Sequence, residues 1–169
     1  MERLDDYRLG MQRLASGVSV VTAVGADGTR YGLTATAVCA LSWSPPSVVT
    51  CVNKKSRLAE VIQEASTFAV NVLGTAHRHV AEAFAGQVSG LRGSARFAYG
   101  KWSYSSDGVP VLEDAPACFI CKVDDAIDRP THLLLIGAVT DVRVAKAETP
   151  LLVYFSHRFT GVGSANGPE

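Results

Sequence analysis

Along the chain, apolar residues alternate between two spacings. Near the start, Leu4, Tyr7, Met11 and Leu14 recur every three or four positions, which predicts an amphipathic helix over residues 5–15, ended by Gly17. The run "VSVVTAV" is β-branched and predicts a strand. The turn "GADGTR" follows, with Asp27-Gly28 as a hairpin signal, and "YGLTATAVCAL" is the returning strand. Pro45-Pro46 punctuates the chain before "SVVTCV", the next strand.

Ser56 is a suitable N-cap for a helix over residues 57–65. "TFAVNVL" reads as a strand, and residues 76–85 as a second helix with Val80, Ala83 and Phe84 on one face. Residues 86–100 hold several glycines and little periodicity, which predicts a long loop or short helix over a surface; such loops in compact domains are often functional. "ACFICKVDDAI" and "HLLLIGAVTDVRV" are two strong strands joined by a turn at Arg129-Pro130, and "LLVYF" is the last strand. The tail from Gly163 reads as disordered. Six or seven strands with hairpin-like connections and two or three helices predict a mainly β fold, an antiparallel barrel with peripheral helices. No G-x-G-x-x-G follows the first strand, against a dinucleotide-binding parallel sheet.

With 169 residues and 47% hydrophobic content, the chain suits one domain with a sizeable core, spanning residues 1–162 before a tail at 163–169. Lys+Arg and Asp+Glu are equal at 16 each, so no global field points to nucleic acid or a membrane surface. No signal peptide is visible, and no run nears the roughly 18 apolar residues of a membrane span. A reduced, cytoplasmic protein is expected. Cys118 and Cys121 spell C-x-x-C, but positions three apart on a strand face opposite ways, so they read as core thiols rather than a metal pair.

Against this neutral balance, "NKKSR" is a local anomaly. Lys54, Lys55 and Arg57 surround the start of a helix, whose N-terminus already carries partial positive charge. Either an anion sits there, held by unsatisfied N–H groups, the cations, Asn53 and Ser56, or the turn is simply solvated. In "GLTATAV", Thr34 and Thr36 share one strand face. That face is either solvated, or a ladder of hydroxyls and backbone N–H groups which Ala35 and Ala37 leave open to a flat ligand. His77 and His79 are two apart on a helix and cannot form a metal pair; His132 and His157 lie at strand ends. No catalytic acid–base set stands out, which suits chemistry carried by a cofactor.

The runs "GLTATAVCALSWSPPSVVTCVNKKS", "FAVNVL", "AEAFAG", "RFAYGKW", "PVLEDA", "THLLLIGAV" and "LLVYFSHRF" occur in one order across residues 14–159. Together they resemble the short-chain flavin reductases, the small partners of two-component flavin monooxygenases. The resemblance implies a flavin-binding split β-barrel, usually a homodimer. It implies FMN or FAD as the flavin and NADH or NADPH as hydride donor, with reduced flavin passed to a monooxygenase.

By position, the family's flavin loop matches Thr34, Ala35, Thr36, Ala37 and Val38. Its second flavin strand and phosphate turn match Cys51, Val52, Asn53, Ser56 and Arg57. Phe84, Ala85 and Gly86 match a further flavin contact. His132 matches the histidine placed near the nicotinamide, the one catalytic candidate. Tyr154, Phe155, Arg158 and Phe159 match the end tied to the nicotinamide nucleotide. Two departures stand out: Pro130 replaces the usual residue before Thr131-His132, and Lys54-Lys55 is unusually basic. A flavin carrier without reductase activity and a pyridoxamine phosphate oxidase-like enzyme are the rival readings. A haem-binding barrel is weaker, since no histidine is placed as an axial ligand.

Overall fold

The structure, a computed structural model, describes residues 2–163; the expected disordered tail, apart from Gly163, lies outside them. Helix α1 (Glu2–Met11) leads to a short strand β1 (Ser16–Gly17), then β2 (Ser19–Val24), β3 (Arg30–Ala35), β4 (Val38–Trp43) and β5 (Pro46–Asn53). Helix α2 (Arg57–Ala65), β6 (Thr67–Val72) and α3 (Arg78–Phe84), entered through a 3-10 turn at Thr75–His77, come next. A 3-10 turn at Gly93–Ala98 precedes β7 (Trp102–Tyr104) and β8 (Pro110–Leu112). The long strands β9 (Ala117–Asp128) and β10 (His132–Val144) follow, then the hairpin β11 (Leu151–Phe155) and β12 (Arg158–Val162).

Seven strands form one antiparallel sheet in the order β3-β2-β6-β9-β10-β5-β4. Its two edge strands, β3 and β4, are consecutive in the chain, so two residues, Thr36 and Ala37, carry the backbone from one edge to the other. The sheet therefore rolls up, and the N–H of Cys51 donates to the Ala37 carbonyl (3.1 Å), extending the β4–β5 pairing into this crossing. The rolled sheet realises the expected mainly β, antiparallel barrel, left open where β3 lacks a second partner.

Its central strands are apolar without alternation because both faces are covered. On β2, Val21 and Ala23 point into the barrel against α2, whereas Val18, at its start, and Val20 point outward against α3. Cys118 and Cys121 divide in the same way: Cys121 faces the barrel interior and Cys118 the small cluster under β8. Burial pushes each thiol up from 9.0 to about 12, so both are inert core groups, as their spacing predicts. Buried Asn71 ties the outer strands together. Its side-chain amide donates to the Val20 carbonyl (3.0 Å), and its oxygen accepts the Leu112 N–H (2.8 Å).

Four expectations need correction. The first helix ends at Met11 rather than Ala15, and Leu4, Tyr7, Met11 and Leu14 are all exposed, so the helical spacing marks a stripe that this chain does not bury. The strand predicted from Tyr31 to Leu41 is two strands on opposite sheet edges, because closing the barrel breaks it at Thr36-Ala37. "LLVYF" is not the last strand: it turns through Ser156 and His157, both at positive φ, into β12. The short β7–β8 ribbon was not foreseen, since three-residue strands carry too little periodicity to read.

Candidate functional site

The seam of the barrel opens into a cleft of about 780 Å³. Its floor is β3, from Tyr31 to Ala35, continued by Thr36 and Ala37. As an edge strand, β3 carries backbone groups with no ladder partner, and these are available to a ligand. Residue parity sorts its side chains. Tyr31, Leu33 and Ala35 face the barrel core, while Gly32 and Thr34 face α3. Gly32 is required there: a Cβ would stand 2.6 Å from the Phe84 ring. The Thr34 hydroxyl donates to the Ala81 carbonyl (2.7 Å). Of the two readings of Thr34 and Thr36, the hydroxyl ladder is not formed, and Thr34 is not simply solvated either: it is engaged by α3, and the strand ends before Thr36.

A second wall comes from the end of β5 and the start of α2. Cys51 and Asn53, two apart, both face the cleft, and His132, opening β10, pairs directly with Asn53. Thr131 Oγ1 lies 2.9 Å from His132 Nδ1, which leaves the other imidazole nitrogen for a ligand. Ser56 occupies the N-cap position of α2, but its side chain does not cap. Its Oγ donates instead to the Asn53 carbonyl (2.7 Å), and the Asn53 side chain accepts the Lys55 N–H (2.9 Å). The first turn of α2 thus keeps the unsatisfied N–H groups every helix start has, and they open onto the cleft.

The three cations of "NKKSR" have different partners. Lys54 pairs with Asp128 (2.6 Å), away from the cleft, and Arg57 pairs with Glu60 while still lining it. Lys55 lines the cleft and has no ion pair among the described residues.

A third wall is formed by the end of α3 and the loop after it: Phe84, Ala85, Arg92, Gly93 and Arg96. The Arg96 guanidinium donates to the carbonyls of Gly32 (3.4 Å) and Phe84 (3.3 Å). Arg30 reaches the other way, 4.6 Å over the Phe97 ring. These two arginines lock the glycine-rich loop to β3, so it stands as a wall.

The cleft collects twelve of the residues singled out from sequence: Thr34, Ala35, Thr36, Ala37, Cys51, Asn53, Lys55, Ser56, Arg57, Phe84, Ala85 and His132. Others lie elsewhere. Val52 is fully buried in the core, since its neighbours Cys51 and Asn53 take the other strand face, and Val38 packs on the same core. Gly86 sits just beyond the lining, beside Arg96. Tyr154, Phe155 and Arg158 belong to the β11–β12 hairpin and do not line the cleft of the same chain; Tyr154 packs edge-on against Phe159 and faces α1. Reading the sequence missed Tyr31, Gly32, Leu33, Leu58, Arg92, Gly93 and Arg96. Two arginines four apart in a loop otherwise rich in small residues were the available signal for the last group.

Among the described residues no Asp or Glu lines the cleft, whereas Lys55, Arg57, Arg92 and Arg96 do. In a chain whose charges balance, that is strong local segregation, suited to an anionic ligand. Among the described residues no cluster of three or more His, Cys, Asp or Glu could hold a metal ion.

Residues 11–163 match the model of the flavin reductase like domain. The chain is 37% identical to an FMN reductase (NADH), RutF, of Agrobacterium fabrum, over 94% of this chain and 88% of that one. Among solved structures, it is similar to a candidate flavin reductase from Haemophilus somnus 129pt, with a TM-score of 0.86 and 31% identity, covering 94% of this chain and 99% of that one. It is also similar to BorF, the flavin reductase component of a bacterial two-component tryptophan halogenase. That match has a TM-score of 0.83 and 27% identity, covering 95% of this chain and 99% of that one.

Proposed function

The chain belongs to the flavin reductase-like family, and from that premise we propose that it is an NADH-dependent flavin reductase whose seam cleft holds the flavin. One observation carries this reading: a cleft lined by four cations and no carboxylate, beside a helix start whose N–H groups are unsatisfied. A flavin nucleotide offers what such a cleft lacks, a flat ring for the β3 floor and a phosphate for the basic wall. The donor set fits. Lys55, Ser56 and the first N–H groups of α2 would take a phosphate, and Asn53 and the edge of β3 would meet the polar rim of the ring. Ala35 and Ala37 leave room for the ring to approach the backbone.

When bound together, the flavin supplies a hydride acceptor and NADH the donor. The chain's own residues need only bind, orient and exclude water, since bringing two rings into register is itself a large part of such a rate enhancement. That accounts for a cleft without a carboxylate acid or base. His132, paired with Asn53 and lining the cleft, would orient the nicotinamide or hydrogen-bond its carboxamide. FMN is the flavin named for the RutF relative, and FAD fits the same walls. The BorF precedent supports release of reduced flavin to a separate flavin-dependent oxygenase or halogenase. Four free cysteines suit a reducing compartment such as the cytoplasm; among the described residues no helix is long and apolar enough to cross a membrane.

The test is direct. Purified protein should oxidise NADH, followed at its absorbance band, when FMN or FAD is added and no aromatic substrate is present. Flavin binding without NADH oxidation would replace the reductase reading with that of a flavin carrier.

A further inference from the structure

We propose that Arg92 and Arg96 form a second anion subsite, a clamp for the diphosphate of a dinucleotide, separate from the phosphate position at Lys55 and Ser56. The proposal rests on the reading of the cleft as a flavin reductase site and extends it to the opposite wall. The first ground is an unmet charge. Arg96 is half-buried, and neither it nor Arg92 has a carboxylate partner among the described residues. Arg96 makes only two long bonds, at 3.3 and 3.4 Å, both from one terminal nitrogen to neutral carbonyls. Its Nε is buried without any partner. A guanidinium taken partly out of water with donors unused is costly unless an anion completes it, and its planar fork suits phosphate oxygens.

The second ground is charge balance. A phosphate monoester carries about −1.5 to −2 near pH 7, which more than meets Lys55, since Arg57 is already paired with Glu60. The two remaining cations of the lining call for another anionic group in the cleft at the same time. The third is rigidity. Arg96 is anchored to β3 through the Gly32 carbonyl and to α3 through the Phe84 carbonyl, and Arg30 stacks on Phe97 in the same loop. The Arg96 side of the clamp is therefore held in place before any ligand arrives, which lowers the ordering cost of binding there, while exposed Arg92 closes from the loop. A diphosphate is the shared chemistry of NADH and FAD, and FMN lacks it.

The experiment compares wild type, Arg92→Ala and Arg92→Lys by fluorescence titration with NADH, FAD, FMN and riboflavin. Arg92 is exposed, so folding should survive, and Arg96→Lys serves as a second variant that keeps the charge but loses the fork. Arg92→Ala should weaken either NADH or FAD about tenfold, with FMN and riboflavin changed less than twofold and Arg92→Lys partly restored. Loss confined to NADH assigns the clamp to the hydride donor. Loss confined to FAD, with NADH unmoved, assigns it to the flavin. Equal affinities for both dinucleotides in wild type, Arg92→Ala and Arg96→Lys would overturn the clamp while leaving FMN binding, and so the reductase reading, intact. Equal weakening of all four ligands, riboflavin included, would also overturn it, because that pattern reports a distorted cleft. A wild type that binds none of the four would overturn the clamp together with the reductase reading.

Discussion

His132 and Ser56 both line the cleft beside Asn53, and each lends itself to a single substitution. His132→Ala should slow hydride transfer by up to about 100-fold, the scale of loss when reacting rings are misplaced, while the flavin dissociation constant changes less than about threefold. Stopped-flow reduction of bound flavin by NADH is the measurement. A wild-type rate with wild-type NADH dependence would remove His132 from the site, and a variant that merely lost flavin would move it to the flavin side. Ser56→Asp places a carboxylate where a phosphate is proposed to sit. Because the Ser56 side chain donates to Asn53 rather than capping the helix, its loss should cost the fold little. FMN affinity should fall about tenfold, or about 1.4 kcal/mol. Unchanged affinity in a flavin fluorescence titration would make "NKKSR" a solvated turn after all.

At the scale of elements, the site depends on how closely β3 meets α3. Gly32 allows the fully buried Phe84 ring to lie against the strand, and that approach brings together the two carbonyls that hold Arg96. Gly32→Ala would force a methyl into a ring with nowhere to move. Overpacking of this kind costs about 1–3 kcal/mol, and in a domain of this size each kcal/mol lowers the melting temperature by about 2–4 °C. Calorimetry checks the stability. Weakened flavin binding in the same variant, measured below its melting range, is the expected companion effect because the cleft wall moves. A melting temperature within 1 °C of wild type would mean that Phe84 can yield. The edge strands matter in the same way: β3 serves as the cleft floor because nothing pairs with its outer side, and the seam forms because two residues bridge the sheet's opposite edges.

At the scale of the whole molecule, this chain leaves apolar surface uncovered. Edge strand β4 exposes Leu41 and, at 92%, Trp43, while the end of β10 exposes Val142 and Val144. An exposed apolar edge strand invites association unless it is covered, and twofold pairing is the commonest way to cover one. A homodimer is proposed on these grounds. It would also give the β11–β12 hairpin, with Tyr154, Phe155 and Arg158, a cleft to approach on the partner. Light scattering at micromolar concentration should report twice the mass of one chain, about 36 kDa against 17.9 kDa for the monomer, and Trp43→Glu should shift it toward monomer. A wild-type monomer would leave the hairpin without a role at the cleft.

Much of this was legible in the sequence for local reasons. Helix α2, β6, β9, β10 and β11 follow from periodicity, because an element buried on a fixed face repeats its apolar residues at its own pitch. The opposite placement of Cys118 and Cys121 needs only the strand period of two. The concentration of cations before α2 and the absence of an acid–base set were readable as composition, and the ordered motifs pointed to the family. What sequence could not decide was everything set by closure of the sheet. The break between Ala35 and Val38, the diversion of the Thr34 hydroxyl to α3 and the pairing of Lys54 with Asp128 all depend on segments distant in the chain. So does the entry of Arg92 and Arg96 into the cleft. Local pattern says which way a side chain points within its own strand or helix; only the rolled sheet says what it then meets, because the partners come from segments distant in the chain.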